Sequence, residues 1–434
     1  MKTVVPQNPY KTTVPVDSSE LFIGREYELT EIIDRVIKNS QPISTILIGG
    51  RKIGKSSLLF EIARRLAGQS KDNLQLVPTY VSFEGITGLS PAKIFTQMIT
   101  SIGSSLNDQL GIMPIRSSPC SNDAYSDFCE QLWAIMNYCN AVLGNVRFVV
   151  LIDEADRLLN HKWTTDVVSN LRDLINTSNL RFFIVLVITG FREFHDYALM
   201  ETEGMGSVLG NAAYWTSLGV LSERECQQLI TKPLHGSLSE QVVQAVYDQS
   251  GGHPFITQYL MQQIWVLDLA KISETDVVRA AQRFSSQVKV FVNWCSQFSD
   301  WDEKVYCALA SLGGFGGLET LFGRLASKGN MGELEDALDF LCYAGVIAKQ
   351  DGRFWVAGRL FCDWFLRRHP EDSTDKISLT HRLREALDQL SVIEEAETDF
   401  VEPKNVSLDL RLAKLRLKRI IDDLQRKLAS VSSP

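Results

Sequence analysis

Hydrophobic positions along the chain change spacing several times, and each change predicts an element. From Glu26, Leu29, Ile32, Ile33, Val36 and Ile37 fall on one face of a helix. The apolar run Ile43–Ile48 is strand-length and closes on two glycines. Ser56 opens a second helix whose buried stripe is Leu58, Leu59, Ile62 and Leu66. Val77–Phe83 alternates and carries β-branched and aromatic residues, so it reads as a strand. Helices over Pro91–Leu106 and Ala124–Leu143 follow, then strand Phe148–Ile152, helix Thr164–Ile175 and strand Phe182–Ile188. Near-continuous Val, Ile, Leu and Phe in strands that alternate with helices predict an α/β fold, a parallel sheet with helices on both faces. After Gly210 the strands are expected to stop. Ser222–Thr231, Ser239–Gln249 and Phe255–Ala270 read as a small helical bundle.

From Trp301 to Arg368 the order changes again. Helices around Val305–Leu312, Leu318–Ala326 and Glu333–Tyr343 precede two short β-type runs, Val346–Lys349 and Phe354–Val356, joined by Asp351-Gly352. Asp-Gly between such runs signals a hairpin, and helices followed by a hairpin describe a winged helix-turn-helix. Its aromatic set Phe354, Trp355, Phe361, Trp364 and Phe365 is expected in a core rather than as a platform for bases. The remainder is charged and helical, Ile377–Glu397 and Leu408–Leu428, with a break at Pro403.

Composition narrows the class. The chain has 434 residues, 45% hydrophobic and 22% charged, a balance that excludes a largely disordered or fibrous protein and leaves room for several domains. A net charge of −8 means that nucleic-acid contact would need a local basic patch. The eight cysteines are scattered without a CxxC pair, which favours reduced thiols over zinc or disulfides. No apolar run approaches the ~20 residues of a membrane helix, and the N-terminus lacks a secretory apolar region. A cytoplasmic protein without membrane contact is therefore expected.

The sharpest chemical signal is Gly49-Gly50-Arg51-Lys52-Ile53-Gly54-Lys55-Ser56, which fits GxxxxGK[ST] between a buried strand and an amphipathic helix. Glycines let backbone N–H groups face phosphate oxygens, and the helix N-terminus, which runs on through Ser57, adds a favourable dipole. Lys55 would neutralise the β- and γ-phosphates, and Ser56 would offer its hydroxyl to Mg²⁺. The second signal is strand Phe148–Ile152 running into Asp153 and Glu154 at the sheet's carboxyl edge, where ligands sit in open α/β sheets. Asp153 would hold the Mg²⁺ hydration shell and Glu154 would polarise the attacking water; in isolation such a pair also serves as a helix cap. At a third strand end, Thr189 could orient water and Arg192 could read phosphate charge, or the two could simply fill and decorate the edge.

These residues resemble the AAA+/STAND class of P-loop ATPases, in the bacterial and archaeal group related to origin-recognition ATPases. Leu21–Leu29 looks like that group's "FxGRexEL" box beside the adenine. Leu218–Ser222 with Glu225 resembles the opening of the helical lid, Gly251–Phe255 a GxP-type lid motif, and Leu360–Phe365 the end of the winged helix. The resemblance covers about residues 20–370 and implies a P-loop ATPase core (21–210), a helical lid (211–295) and a winged-helix domain (296–370); the Pro-, Thr- and Ser-rich start reads as an extended arm (1–20) and the charged remainder as a helical tail (371–434). It further implies that the adenine lies between Gly24-Arg25 and His253-Pro254, with His253 a donor near the phosphates. An arginine finger from a neighbouring subunit is implied too, with Arg172 the best candidate.

Together these expectations describe an ATP- and Mg²⁺-dependent switch that hydrolyses ATP and works in signalling or defence as a homo-oligomer or with a partner protein. GTP is disfavoured because no NKxD-type motif is present. Two alternatives stand beside it: a DNA-binding ATPase of the initiator or transposition-loader kind, and a nucleotide-binding module without turnover. Nucleic acid is the less favoured partner, because the helix Glu333–Tyr343 is acidic on its outward side and duplex affinity comes largely from Lys and Arg. The basic tail Leu408–Leu428 reads as an amphipathic helix packed on a neighbour, a partner-binding or oligomerisation helix, or a nucleic-acid contact.

Overall fold

The computed structural model describes residues 8–368, apart from 39–40, 72, 113–117, 122, 200–208, 235–237, 266–270, 288 and 326–328, together with isolated positions beyond 368. The expected tail helices therefore lie outside the described residues. Two compact units are present: residues 1–297 with the short segment Tyr343–Gly345, and the rest of the chain from Phe298.

In the first unit the elements run α1 (Glu26–Ile37), β1 (Thr45–Gly49), α2 (Lys55–Leu66), β2 (Ser70–Lys71), β3 (Leu74–Ser82), α3 (Pro91–Leu110), α4 (Ala124–Leu143), β4 (Asn145–Asp153), α5 (Thr164–Asn176), β5 (Ile184–Gly190), α6 (Arg192–Leu199) and β6 (Tyr214–Leu218). Among the described residues the helices that follow are α7 (Glu223–Thr231), α8 (Glu240–Ser250), α9 (Pro254–Ile264), α10 (Glu274–Gln287) and α11 (Val290–Cys295). The strand order is β2-β3-β4-β5-β1-β6, parallel throughout except for β2. Strand residues divide by period two between the faces. Ile46, Ile48, Val150, Ile152, Leu186 and Ile188 pack with α3, α4 and α5. Leu47, Val149, Leu151, Val185 and Val187 pack with α1 and α2. Both faces are dry, which is why these strands carry unbroken apolar runs.

One expectation fails here. Strands do not stop after Gly210: β6 pairs in parallel with β1 from Thr45–Tyr214 to Gly49–Leu218. As the sheet's edge it buries only Thr216 and Leu218 fully, so Tyr-Trp-Thr-Ser-Leu lacks the continuous apolar run of the central strands. The helices after it start at strong caps. Ser222 and Glu225 form a reciprocal capping box on α7, and Ser239 accepts from the Val242 N–H on α8.

The second unit holds α12 (Asp300–Ser311), β7 (Phe315–Gly317), α13 (Leu318–Leu325), α14 (Met331–Ala344), β8 (Ile347–Gln350), β9 (Arg353–Val356) and α15 (Arg359–Leu366). The expected hairpin is present, with Asp351 and Gly352 both at positive φ, as a two-residue turn of the primed type demands. A third strand, β7, joins β9 on its other side. Phe354, Phe361 and Phe365 are buried, with the Phe361 and Phe365 rings against Tyr306; Trp355 and Trp364 are half-buried.

Candidate nucleotide site

The loop Gly50–Gly54 leaves β1 and returns as the first turn of α2. Gly54 sits at φ 105°, outside the range of other residues, which lets the loop fold back so that Lys55 starts the helix. Gly50 is needed for a second reason: its N–H donates to the Tyr343 carbonyl at 2.6 Å, and a Cβ there would lie 2.5 Å from the Ala344 oxygen. Arg51 and Lys52 are exposed, and Ile53 is buried.

Lys55 is buried, its Nζ donating to the Gly49 and Gly50 carbonyls at 2.7 and 3.0 Å. The ammonium lies 3.7 Å from the centroid of the Phe191 ring, and the Arg51 guanidinium 4.8 Å from the same ring. Burial pulls the Lys55 pKa down to about 7 against the attraction of Asp156 and Asp153. A phosphate on the loop favours the charged lysine, so binding above pH 7 must take up a proton and affinity falls as pH rises. The ligand-free fold behaves oppositely. Between pH 7 and the ordinary lysine value of 10.5 the unfolded chain holds more protons on this group, so its contribution to stability rises with pH. Calorimetry at pH 8 in buffers of different ionisation enthalpy is expected to report uptake approaching one proton; no buffer dependence would contradict this.

At the ends of β4 and β5 the acids and the threonine meet. Asp153 is buried, and its two oxygens are held from opposite sides: Thr189 Oγ1 donates to Oδ1 at 2.6 Å and the Tyr80 hydroxyl to Oδ2 at 2.8 Å. The Glu154 N–H donates to Asp153 Oδ1 and to Thr189 Oγ1. Glu154 adopts a left-handed backbone, φ 61°, before a short 3₁₀ turn, a conformation that costs on the order of 1–3 kcal/mol. Its carboxyl is half-buried, and burial, then the nearby Glu84 and Asp153, raises its pKa above the ordinary glutamate value. Thr189, the candidate for orienting water, here ties Asp153 to Glu154. Sequence reasoning missed Tyr80 and Asp156. The Asp156 carboxylate accepts from the Phe191 N–H at 2.9 and 3.0 Å and attracts Lys55, fixing the aromatic ring under that lysine.

The base side gathers the segments flagged in the sequence. The Arg25 N–H donates to Glu225 Oε1 at 2.8 Å; its guanidinium donates to the Gly219 carbonyl and pairs with Glu28 at 3.2 Å. Arg25 therefore joins α1, the end of β6 and the start of α7, and its side chain is engaged with protein. The Leu221 N–H donates to the Gly252 carbonyl, which brings His253-Pro254 beside that junction, with Pro254 opening α9. His253 is fully buried and stacked on Trp294 with ring centroids 4.4 Å apart. Burial, then nearby Arg25, takes its pKa down to about 3, so it is neutral and supplies no charge to a phosphate. Both its ring nitrogens lack a hydrogen-bond partner among the described residues. The arm is held down: Lys52 Nζ donates to the Thr12 carbonyl, the Val16 N–H to Ser57 Oγ, and the buried Tyr10 hydroxyl to the Ile230 carbonyl on α7. The Ser57 hydroxyl thus serves the arm.

Arg192 is directed at Asp196 and the Gln297 carbonyl, at 3.6 and 3.5 Å. Arg172, on α5, is half-buried, with no partner for its Nε among the described residues.

The residues fit a nucleotide with Mg²⁺. The loop places the Lys55 ammonium at the end of β1, a Cβ on Gly54 would meet nothing within 4 Å, and both ring nitrogens of the buried His253 are orphaned polar atoms among the described residues. Ser56 and Asp153 could share Mg²⁺, which usually takes one or two protein oxygens with phosphates and water rather than a protein cage. The described residues contain no cluster of three or more His, Cys, Asp or Glu able to hold a metal. None of their helices is long and apolar enough to cross a membrane.

Comparison with known proteins adds the architecture. The chain is similar to the Walker-type ATPase PABY2304 of Pyrococcus abyssi, with 14% identity over 82% of this chain and 99% of that one, and a TM-score of 0.54. The fold is that of a P-loop NTPase. Weaker similarities include the ORC2 protein of Aeropyrum pernix in its ADPNP–ADP complexes, at 15% identity over 84% and 97% of the two chains and a TM-score of 0.49. The Aeropyrum pernix ORC1 protein in complex with DNA gives 13%, 83% and 94%, and a TM-score of 0.42. No family model and no curated protein matches the sequence.

Proposed function

We propose that the chain binds ATP with Mg²⁺, hydrolyses it, and changes conformation with nucleotide state. The reading rests chiefly on one observation, the convergence of Lys55 with Asp153, Glu154 and Asp156 at the carboxyl edge of a P-loop sheet. Lys55 would leave the Gly49 and Gly50 carbonyls for the β- and γ-phosphate oxygens, exchanging two neutral acceptors for charged ones. Mg²⁺, once bound, would offset phosphate charge during transfer. Glu154, its pKa raised and its backbone fixed, would take the proton of the attacking water. The purine would lie toward His253 and Pro254, between the Gly24-Arg25 junction and the helices after β6, so that those helices register whether the site is filled. Assembly as a homo-oligomer, with Arg172 of one copy completing the site of the next, belongs to this proposal.

Whether the switch serves signalling or DNA engagement is a separate matter, and the second unit favours the latter. The helices α12, α13 and α14, followed by α15, and a three-stranded antiparallel sheet with Lys349 and Arg353 exposed on the β8–β9 hairpin suit a winged helix. Against duplex contact, the outward face of α14 is Glu333, Glu335, Asp336 and Asp339, and Lys349 pairs with Asp339 at 3.6 Å. Light scattering on the full chain, with and without ATP·Mg²⁺, is expected to show a nucleotide-dependent change in mass or hydrodynamic radius. An ATP-indifferent particle would contradict the switch. In a gel shift, duplex binding that weakens steeply between 50 and 200 mM salt would support DNA engagement, and its absence would remove that reading.

A further inference from the structure

We propose that Tyr80 is a positioning residue for the metal-holding carboxylate of Asp153; the proposal rests on the ATP·Mg²⁺ reading above and extends it to a residue that no motif marks. Tyr80 lies on β3, where it is opposite Leu151 of β4, two positions before Asp153. Its hydroxyl donates to Asp153 Oδ2 at 2.8 Å, while Thr189 on β5, the strand on β4's other side, donates to Oδ1 at 2.6 Å. The carboxylate is thus gripped between hydroxyls from both flanking strands. The Tyr80 ring packs on Phe60 of α2, with centroids 4.7 Å apart. Phe60 lies on the same helix as Lys55 and Ser56, so one side chain braces the carboxylate against the helix that carries the other Mg²⁺ candidate.

The physical consequence is orientation. An aspartate held by a single donor turns about its side-chain torsions, and ordering it falls as an entropic cost on metal binding. Here Thr189 and the Glu154 N–H hold Oδ1 and Tyr80 alone holds Oδ2, which fixes the carboxylate plane in advance while leaving Oδ2 a lone pair for a metal-bound water. Groups of this kind around a metal site typically contribute about 10–100-fold to metal affinity.

Tyr80→Phe removes the hydroxyl and keeps the ring on Phe60. In calorimetry on the full chain, ADP is first titrated in EDTA and Mn²⁺ is then titrated into the ADP-loaded protein. The variant is expected to bind ADP in EDTA like the wild type, to melt within a few degrees of it, and to bind Mn²⁺ roughly 10–100-fold more weakly. Thr189→Val should weaken Mn²⁺ binding in the same direction. Unchanged Mn²⁺ affinity in Tyr80→Phe with ADP binding intact overturns the positioning role. Equal losses of ADP and Mn²⁺ affinity also overturn it, because they mark a general structural contribution. A folded wild type that is silent in the ADP titration refutes the parent nucleotide reading, and is told apart because the failure precedes any metal step.

Discussion

Lys55→Ala is expected to weaken ATP binding by roughly 30-fold to several thousand-fold while leaving the protein folded. Truncating one partner of a buried, hydrogen-bonded charge pair costs about 2–5 kcal/mol, and each ~1.4 kcal/mol is tenfold in affinity. The ligand-free protein loses far less. Its lysine donates to two loop carbonyls but is held desolvated, with its pKa drawn down to about 7, so removing it also removes a buried charge. The loss should be largest at pH 7 and below, where the wild-type ammonium is charged before ATP arrives. Nucleotide titrations and thermal melts on the same preparations check both halves: a variant that melts normally yet binds ATP like the wild type would remove Lys55 from the site.

Glu154→Gln is expected to reduce ATP hydrolysis by about 10²–10⁴-fold, the range of general-base catalysis, with ATP affinity within a few-fold of the wild type. Glutamine preserves the shape at the left-handed position, where the backbone N–H donates to Asp153 and Thr189, but it cannot take a proton. The wild-type acidic limb carries a second signature. Burial beside Glu84 and Asp153 raises the Glu154 pKa, so hydrolysis should fall, as pH drops, at a higher pH than an ordinary glutamate would give. In the variant that limb should disappear. Phosphate release across pH, with binding measured in parallel, decides it; an unchanged rate would favour a nucleotide-binding module without turnover.

Much of this site was legible because its chemistry is local. The loop from Gly49 to Ser56 and the pair Asp153-Glu154 each sit at a strand end that an apolar run announces. The segments around Gly24, Glu225 and His253 could be flagged singly, and the structure adds the Arg25–Glu225 and Leu221–Gly252 hydrogen bonds that join them. What stayed hidden depends on partners far apart in sequence. Tyr80 looks like one more residue of an alternating strand, and its bond to Asp153 spans 73 positions. Phe191 and Asp156 acquire meaning only once β5 lies beside β4. Strand β6 escaped because an edge strand need not be apolar on both faces. The arm escaped because Tyr10 and Val16 are isolated apolar residues in a polar stretch, yet both are buried. Burial itself is the hardest property to foresee: it makes His253 neutral and halves the charge of Lys55 near neutral pH, and neither effect can be read from residue identity.

The most direct test is a calorimetric titration of ATP with Mg²⁺ into the purified, folded 434-residue chain, beside Lys55→Ala. A saturable isotherm at one site per chain in the wild type and a flat or greatly weakened one in the variant is the expected result. Absence of binding in a wild type that melts cooperatively would contradict the account at its root.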